Sequence, residues 1–374
     1  MQALRPSLGG NAGNPQNPGN AQQRVVPFVV GSTEGVQLGT TPLGFNQTGA
    51  QQIFQNLEVP PTGFHRGLWA IVTATTTGNI AATTFAPDGP FAAVANVRFM
   101  DISSNPLFGD MAGYEWYLTN LLGGYWPVQD PTQSRLYSAV VGTGGNGGSF
   151  KFALWIPAEI VGREAFGSLE NMAANSTFRF NLTAEASAAV YSVAPTTLPA
   201  ITIQFVPEMW NKPSASYMGD PVLPTPPRND TTQYWSRNQY TWSGTGTQQV
   251  KLQRVGFSLR NLVLLFRTTA NVRLTDVQMP PTLEFAIDNK TVRLATMDWW
   301  INNTSQRAQL SPTGLPSGVV GLSFCHDENM RQGNEIKTLY LPTAEASLLQ
   351  FKFTPTVAGS LTVLTNDLAI TQGA

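Results

Sequence analysis

Two halves of this chain present the same elements in the same order, and that order limits the fold more than any single motif does. Gly67-Leu68-Trp69-Ala70-Ile71-Val72 has a counterpart in Asn261-Leu262-Val263-Leu264-Leu265-Phe266. A strand ending at Asp101 corresponds to one ending at Asp288, and the following Glu115-Trp116 to Asp298-Trp299. Leu154-Trp155-Ile156-Pro157 is matched with Leu339-Tyr340-Leu341-Pro342, Phe178-Arg179-Phe180 with Leu349-Gln350-Phe351, and Ile201-Thr202-Ile203 with Leu361-Thr362-Val363. Apolar strands resemble one another, so the collinear order, and no single pairing, indicates a tandem duplication. The offset between counterparts shrinks along the chain, so the first copy carries the longer connections.

At 374 residues the chain exceeds what one hydrophobic core usually supports. The pattern divides it into a flexible N-terminal arm (1–24), a first β domain (25–212), a Pro-rich linker (213–233) and a second β domain (234–374). Strands are expected at 24–30, 67–77, 92–101, 149–156, 177–183 and 201–206, as alternating or continuous apolar runs. Met111, Tyr114, Leu118, Leu121 and Leu122 share one face of a helix. A second helix is expected from Pro157, with Val161, Ala165, Leu169 and Met172 as its stripe. Leu294, Met297 and Ile301 repeat the first stripe in the second copy. Pro213, Pro221, Pro224, Pro226 and Pro227 make residues 211–233 an extended linker and not a strand.

Charged residues are 12% of the chain, about half the ~25% usual for soluble domains. Low surface charge points to a surface covered by other protein. A net charge of −1 without a basic run argues against direct nucleic-acid binding. One cysteine, Cys325, excludes an intrachain disulfide. The first residues lack the charged-then-apolar pattern of a signal peptide, and no run of about 18 apolar residues occurs, so neither a leader nor a spanning helix is expected.

Little in the sequence serves catalysis. His65 precedes a strand, where a loop or capping role fits better than a general base. Cys325-His326-Asp327-Glu328 places neighbours on opposite faces of a strand, a poor arrangement for one metal ion. Asp101, Asp288, Glu115 and Asp298 occupy equivalent places in two separate copies and suit helix starts and turns. Residues 142–148 are glycine-rich but precede a strand, so they read as a hairpin and not a phosphate loop. No catalytic, cofactor-binding or metal-binding residue is assigned, no cofactor is called for, and the chain is read as no enzyme. A tandem β-sandwich carbohydrate-binding protein and a glycan-processing enzyme are the alternatives. The first would use Trp116, Trp299 or Trp300 to grip sugar.

The strand at 67–76, the strand at 93–101 with its Trp-bearing helix, the strand before Pro157, residues 321–329 and the closing strands from Leu339 together carry a resemblance. The chain resembles the double jelly-roll major capsid proteins of tailless icosahedral viruses with an internal membrane, above all those of tectivirus-like bacteriophages. The resemblance implies an all-β fold of two tandem eight-stranded jelly rolls with short helices. It implies a homotrimer of near-hexagonal outline that self-assembles into an icosahedral shell. It also implies contacts with neighbouring capsomers, with penton and minor capsid or membrane proteins, and with the internal viral membrane. Synthesis in the host cytoplasm and residence in the virion follow from it. Family members often lay an N-terminal amphipathic helix on that membrane; residues 1–24 depart from this, being low in complexity with Arg5 and Arg24 as their only charged side chains.

Overall fold

The computed structural model describes residues 24–38, 42–77, 82–100, 106–125, 130–142, 144–173, 178–227, 231–253, 256–311, 313–324 and 340–370. The first half contributes β1 (Glu34–Val36), β2 (Leu43–Asn46), β3 (Gln52–Glu58), β4 (Gly63–Thr75), β5 (Thr84–Phe85) and β6 (Val94–Met100). It continues through β7 (Ser138–Ala139), β8 (Phe150–Pro157), β9 (Leu169–Asn171), β10 (Arg179–Ala184), β11 (Tyr191–Val193) and β12 (Ala200–Trp210). A small hairpin, β13 (Ser216–Tyr217) and β14 (Asp220–Pro221), leads into the second half. That half holds β15 (Thr231–Trp242), β16 (Gln248–Lys251), β17 (Ser258–Thr268), β18 (Thr282–Ile287) and β19 (Lys290–Thr296). It closes with β20 (Val319–Ser323), β21 (Leu341–Pro342), β22 (Leu349–Phe353) and β23 (Gly359–Ile370). Four helices among the described residues accompany the strands: α1 (Phe28–Gly31), α2 (Gly113–Leu122), α3 (Ser187–Val190) and α4 (Met297–Arg307).

Each half is a sandwich of two antiparallel sheets in jelly-roll order. In the second, β15-β23-β17-β20, with β21 at the end of β17, faces β16-β22-β18-β19. In the first, β12 and β4 lie between β1 and β2 on one side and β8 on the other, and face β3-β10-β6. Residues 106–111 stand where β19 stands in the second roll, bridging to β6 at Val97–Met111 and Met100–Pro106. Period-two alternation sets the cores. Leu68, Ala70 and Val72 of β4 meet Phe99, Phe180 and Leu182 of the opposite sheet. Leu262, Leu264 and Phe266 of β17 meet Phe285, Phe351 and Phe353. Each of these Leu, Val and Phe side chains stabilises by about 1.5–3 kcal/mol when fully buried.

Several expectations are corrected. Residues 24–30 form no strand; Val26 makes one parallel bridge to Val222, and Phe28–Gly31 is a single helical turn. No α-helix follows Pro157; a single 3-10 turn at Gly162–Glu164 stands in its place. Ala165 and Gly167 adopt left-handed backbone (φ 56° and 90°), which turns the chain back into β9. The apolar residues there are buried for another reason: Ile160, Val161 and Phe166 pack with Tyr340 and Leu368, and Ala165 with Phe28, Phe64 and Trp210. The stretch read as a linker contains the β13–β14 hairpin, closed by left-handed Met218 and Gly219, and β15 already begins at Thr231. Leu294 lies exposed in β19 and not on α4.

The strand pairing also revises the repeat. β8 corresponds to β20, since both flank the central strand and both receive the helix: Trp155 pairs with Trp69, and Gly321 with Val263. Leu341 and Pro342 match β9, because β21 and β9 each pair with the start of the central strand. The match of residues 154–157 with 339–342 is therefore wrong. Leu68 with Leu262 agrees with the sheet topology, as do the strand matches β10–β22 and β12–β23, but the last shifts by two residues: Ile203, paired with Val72, falls on Leu361, paired with Phe266, and not on Val363.

Candidate assembly faces

The two rolls share their most detailed likeness at a β-bulge. Between Gly67 and His65 the β4–β12 register skips Arg66, and between Asn261 and Leu259 the β17–β23 register skips Arg260. A bulge re-aims its extra side chain. Arg260 crosses from the second roll into the first, donating from Nη2 to Gly123 O (2.8 Å) and from Nη1 to Tyr125 Oη (3.0 Å) and Asn366 Oδ1 (3.1 Å). Its guanidinium also lies 5.0 Å from the Tyr125 ring centroid. Arg66 stays within the first roll. It donates to Glu159 at 2.8 Å, with Glu34 at 3.3 Å and Glu208 at 3.8 Å, and stacks over Trp210.

The helices repeat the same agreement. Trp116 and Trp300 are each the fourth residue of their helix, and each is 0% exposed. Asn120 and Thr304 are each the eighth. Asn120 donates to Trp155 O (2.7 Å) and accepts from Trp155 N–H (2.8 Å). The Thr304 hydroxyl accepts from Gly321 N–H (3.0 Å), while its proton goes to Trp300 O at 2.7 Å, nearer than Gly321 O at 3.1 Å. Each helix thus holds backbone polar groups at the flank of a strand, which blunts an edge open to pairing. The counterpart of Trp116 is therefore Trp300 and not Trp299, which is 44% exposed and occupies the place of Glu115. Two adjacent tryptophans give sequence reading no means of choosing between them. The bulge arginines and edge clamps escape it because their neighbours share no motif.

Between the rolls, the outer face of the β17 sheet is covered. Val263, Leu265, Val319, Leu364 and Trp235 belong to the same apolar cluster as Leu122, Tyr125 and Phe108 of the first roll. With Leu262, Leu264 and Phe266 facing inward, β17 is buried on both sides, hence its unbroken apolar run. Polar groups continue the seam. Gln233 Nε2 donates to Glu159 O (2.6 Å), Thr232 Oγ1 to Ala158 O (3.0 Å), and Trp235 Nε1 to Tyr125 Oη (3.1 Å). Arg237 pairs with Glu115 at 2.6 Å, and Asp88 with Arg267 at 2.6 Å and Arg273 at 3.1 Å. Asp88, Glu115, Arg237 and Arg267 line an inter-roll cleft of about 430 Å³ whose wall includes Tyr114.

The candidate residues named from the sequence fall apart in space. His65 lies inside β4, not in a loop; it is stacked on Phe99 and Phe178, and burial pushes its imidazole down to about 4. Glu115 accepts from the Ala112 N–H at the start of α2 (2.9 Å), the helix-start role expected, but also pairs with Arg237 of the other roll; Asp288 ties its turn to the distant Ser347 and Leu348, which is not the local role expected. Asp298 is exposed in the first turn of α4. Asp101 and Cys325-His326-Asp327-Glu328 lie outside the described residues. Glu159 gathers donors from Arg66, Trp210 and Ser168, yet burial holds its carboxyl above the usual range. Among the described residues no group of three or more His, Cys, Asp and Glu converges on a metal-sized space.

The geometry matches solved structures closely in outline. The major capsid protein of Sulfolobus turreted icosahedral virus superposes with a TM-score of 0.61 over 91% of this chain and 97% of that one, at 11% identity. VP54 of PBCV-1 gives 0.60 over 90% and 94%, at 9% identity. The chain has the double jelly-roll fold. The major capsid protein P2 of bacteriophage PM2 shares it at a TM-score of 0.50 and 9% identity, over 90% of this chain and 97% of that one. No protein-family profile and no curated sequence matches the chain. The superpositions run over nearly the full length of both partners, so the pairing of two rolls, and not one roll alone, is the shared feature.

Proposed function

We propose that this chain is the major capsid protein of an icosahedral virus and that its activity is self-assembly. The observation that carries the proposal is the two-roll fold over nearly the whole chain, with one roll's outer sheet face already covered by the other roll. Among the described residues the first roll's equivalent face is open: Val36 and Leu38 are exposed, and Trp69 and Ile71 are half-buried. A charge content of 12% fits a surface that neighbours cover. Three such chains in a ring present six similar rolls, the homotrimeric capsomer of near-hexagonal outline. Neighbouring capsomers, penton and minor proteins would complete the shell in the virion. A phage host, assembly in its cytoplasm and an internal membrane are part of the proposal on the strength of the sequence resemblance.

Trp116 and Trp300 are wholly buried, which leaves Trp299 alone of the three candidate tryptophans available to stack on a sugar. That weighs against the carbohydrate-binding alternative. Size-exclusion chromatography with light scattering tests the proposal: a stable species of three times the 40.4 kDa chain mass is expected. A monomer at micromolar concentration that forms no larger species under any assembly condition would overturn it.

A further inference from the structure

The bulge and the strand registers place the central residues of one roll on their equivalents in the other. Trp69 and Ile71 of β4 correspond to Val263 and Leu265. Val206, paired with Trp69, corresponds to Leu364, paired with Val263. Glu208 corresponds to Asn366, and Val36, paired with Glu208, corresponds to Trp235, paired with Asn366. Two residues further, Leu38 stands where Arg237 stands, a register supported by the bond from Gln37 N to Pro207 O.

The covered and open faces can therefore be compared position by position. Trp235 is 1% exposed, whereas Val36 is 64% exposed; Arg237 is ion-paired, whereas Leu38 is 79% exposed. On the opposite partner, Glu115 of α2 corresponds to Trp299 of α4, and Gly123, which receives Arg260, corresponds to Arg307. Trp299 is half-exposed. Arg307 lies close enough to Arg293 to repel it, and among the described residues neither is within ion-pair distance of a carboxylate. The open face of the first roll has the complementary surplus: Glu34 and Glu208 flank Arg66, whose nearest carboxylate is the buried Glu159.

We propose that a second copy of this chain docks its α4 on the open sheet face of the first roll, repeating the internal seam between chains. Trp299 packs on Leu38 and Val36, and Arg307 meets Glu34 and Glu208. The inference rests on the ring proposed above and names the contact that closes it. Inside the chain the matching position is a salt bridge, Glu115 with Arg237; between chains it becomes Trp on Leu. That exchange of charged for apolar partners discourages α4 from competing for the internal seam, where it would leave Arg237 without its carboxylate partner. Trp and Arg are the residues that most often carry interface affinity.

The contact is head-to-tail, and this gives it a distinctive test. Trp299→Asp breaks the helix side and Leu38→Asp the sheet side; both side chains are exposed within one chain, so each variant should stay folded, and any fall in its melting temperature should match the loss of the trimer alone. Each variant alone is expected to elute as a monomer. A mixture of the two has one intact pairing, the helix of one variant on the sheet of the other, and should give a 1:1 heterodimer and no trimer. Arg307→Glu and Val36→Asp provide second variants for each side. Arg307→Glu should weaken the trimer, and raised salt should weaken the wild-type trimer in the same direction. A wild-type monomer would overturn the ring itself. A wild-type trimer whose single variants remain trimeric would leave the ring and overturn this contact, as would monomeric variants that form no heterodimer on mixing.

Discussion

Helices α2 and α4 are the same device placed in two surroundings. Both seat a tryptophan at the fourth position and clamp a strand's backbone from the eighth. Yet every residue of α2 is buried, while α4 buries four of its eleven residues. α2 is enclosed because it lies between its own roll and the outer sheet of the other. The shared positions therefore report what a roll needs in order to fold, and the divergent ones report what each helix faces afterwards.

The comparison breaks first, if it breaks, at the tryptophans. Trp116→Ala and Trp300→Ala should each cost about 3–5 kcal/mol, measured by denaturant unfolding. Trp300→Ala should be the costlier, because its Nε1 donates to Leu283 O at 3.0 Å, whereas no partner is found for the Trp116 Nε1. Equal and small losses would show that the two helices are not structural equivalents.

A second difference concerns the residue just before the bulge: His65 in the first roll corresponds to Leu259 in the second. The folded-state pKa of His65, about 4, lies below the ordinary 6.5, so the unfolded chain binds the proton more readily between those values. Stability from this site is complete above pH 6.5 and is lost as pH falls towards 4, by about 3 kcal/mol in total. His65→Phe should flatten that window. A wild-type unfolding free energy that does not change from pH 7 to pH 4.5 would contradict the burial of this imidazole.

The clamps should rank next. Asn120→Ala leaves the N–H and C=O of Trp155 without their partner, at about 1–3 kcal/mol for a buried group left unpaired. Thr304→Val should cost a similar amount at Gly321, with little change in volume. Hydrogen exchange at Trp155 and Gly321 should accelerate in the matching variant alone. Smallest of all, Trp299→Ala should change chain stability by no more than about 0.5 kcal/mol, the range of surface substitutions. A loss comparable to Trp300→Ala would restore Trp299 as the structural counterpart of Trp116.

Much of this fold is legible from the order of apolar segments, because period-two patterns and continuous runs are direct consequences of one or both faces being covered. The run from Leu262 to Phe266 is one such case, and the stripe from Tyr114 to Leu122 another. Reading fails where side chains are apolar for a tertiary reason that mimics a local one. Val161 and Ala165 look like part of a helical stripe, but Val161 binds a loop to Tyr340 and Leu368, and Ala165 packs with Phe28, Phe64 and Trp210. Leu339 to Pro342 reads like Leu154 to Pro157 because Leu-x-x-Pro carries no register. The seam is invisible for a different reason: Arg260, Tyr125 and Gln233 are far apart in sequence and meet only once both rolls exist.

The chain between β12 and β15 has a thermodynamic consequence as well as a geometric one. It makes the seam between the two rolls an intramolecular contact, governed by an effective concentration that does not fall on dilution. A protein released into a crowded cell at low abundance would still have that contact formed. Cutting the backbone near residues 223–227 would convert it into a bimolecular equilibrium, and the buried Arg260 would then depend on the supply of its partner.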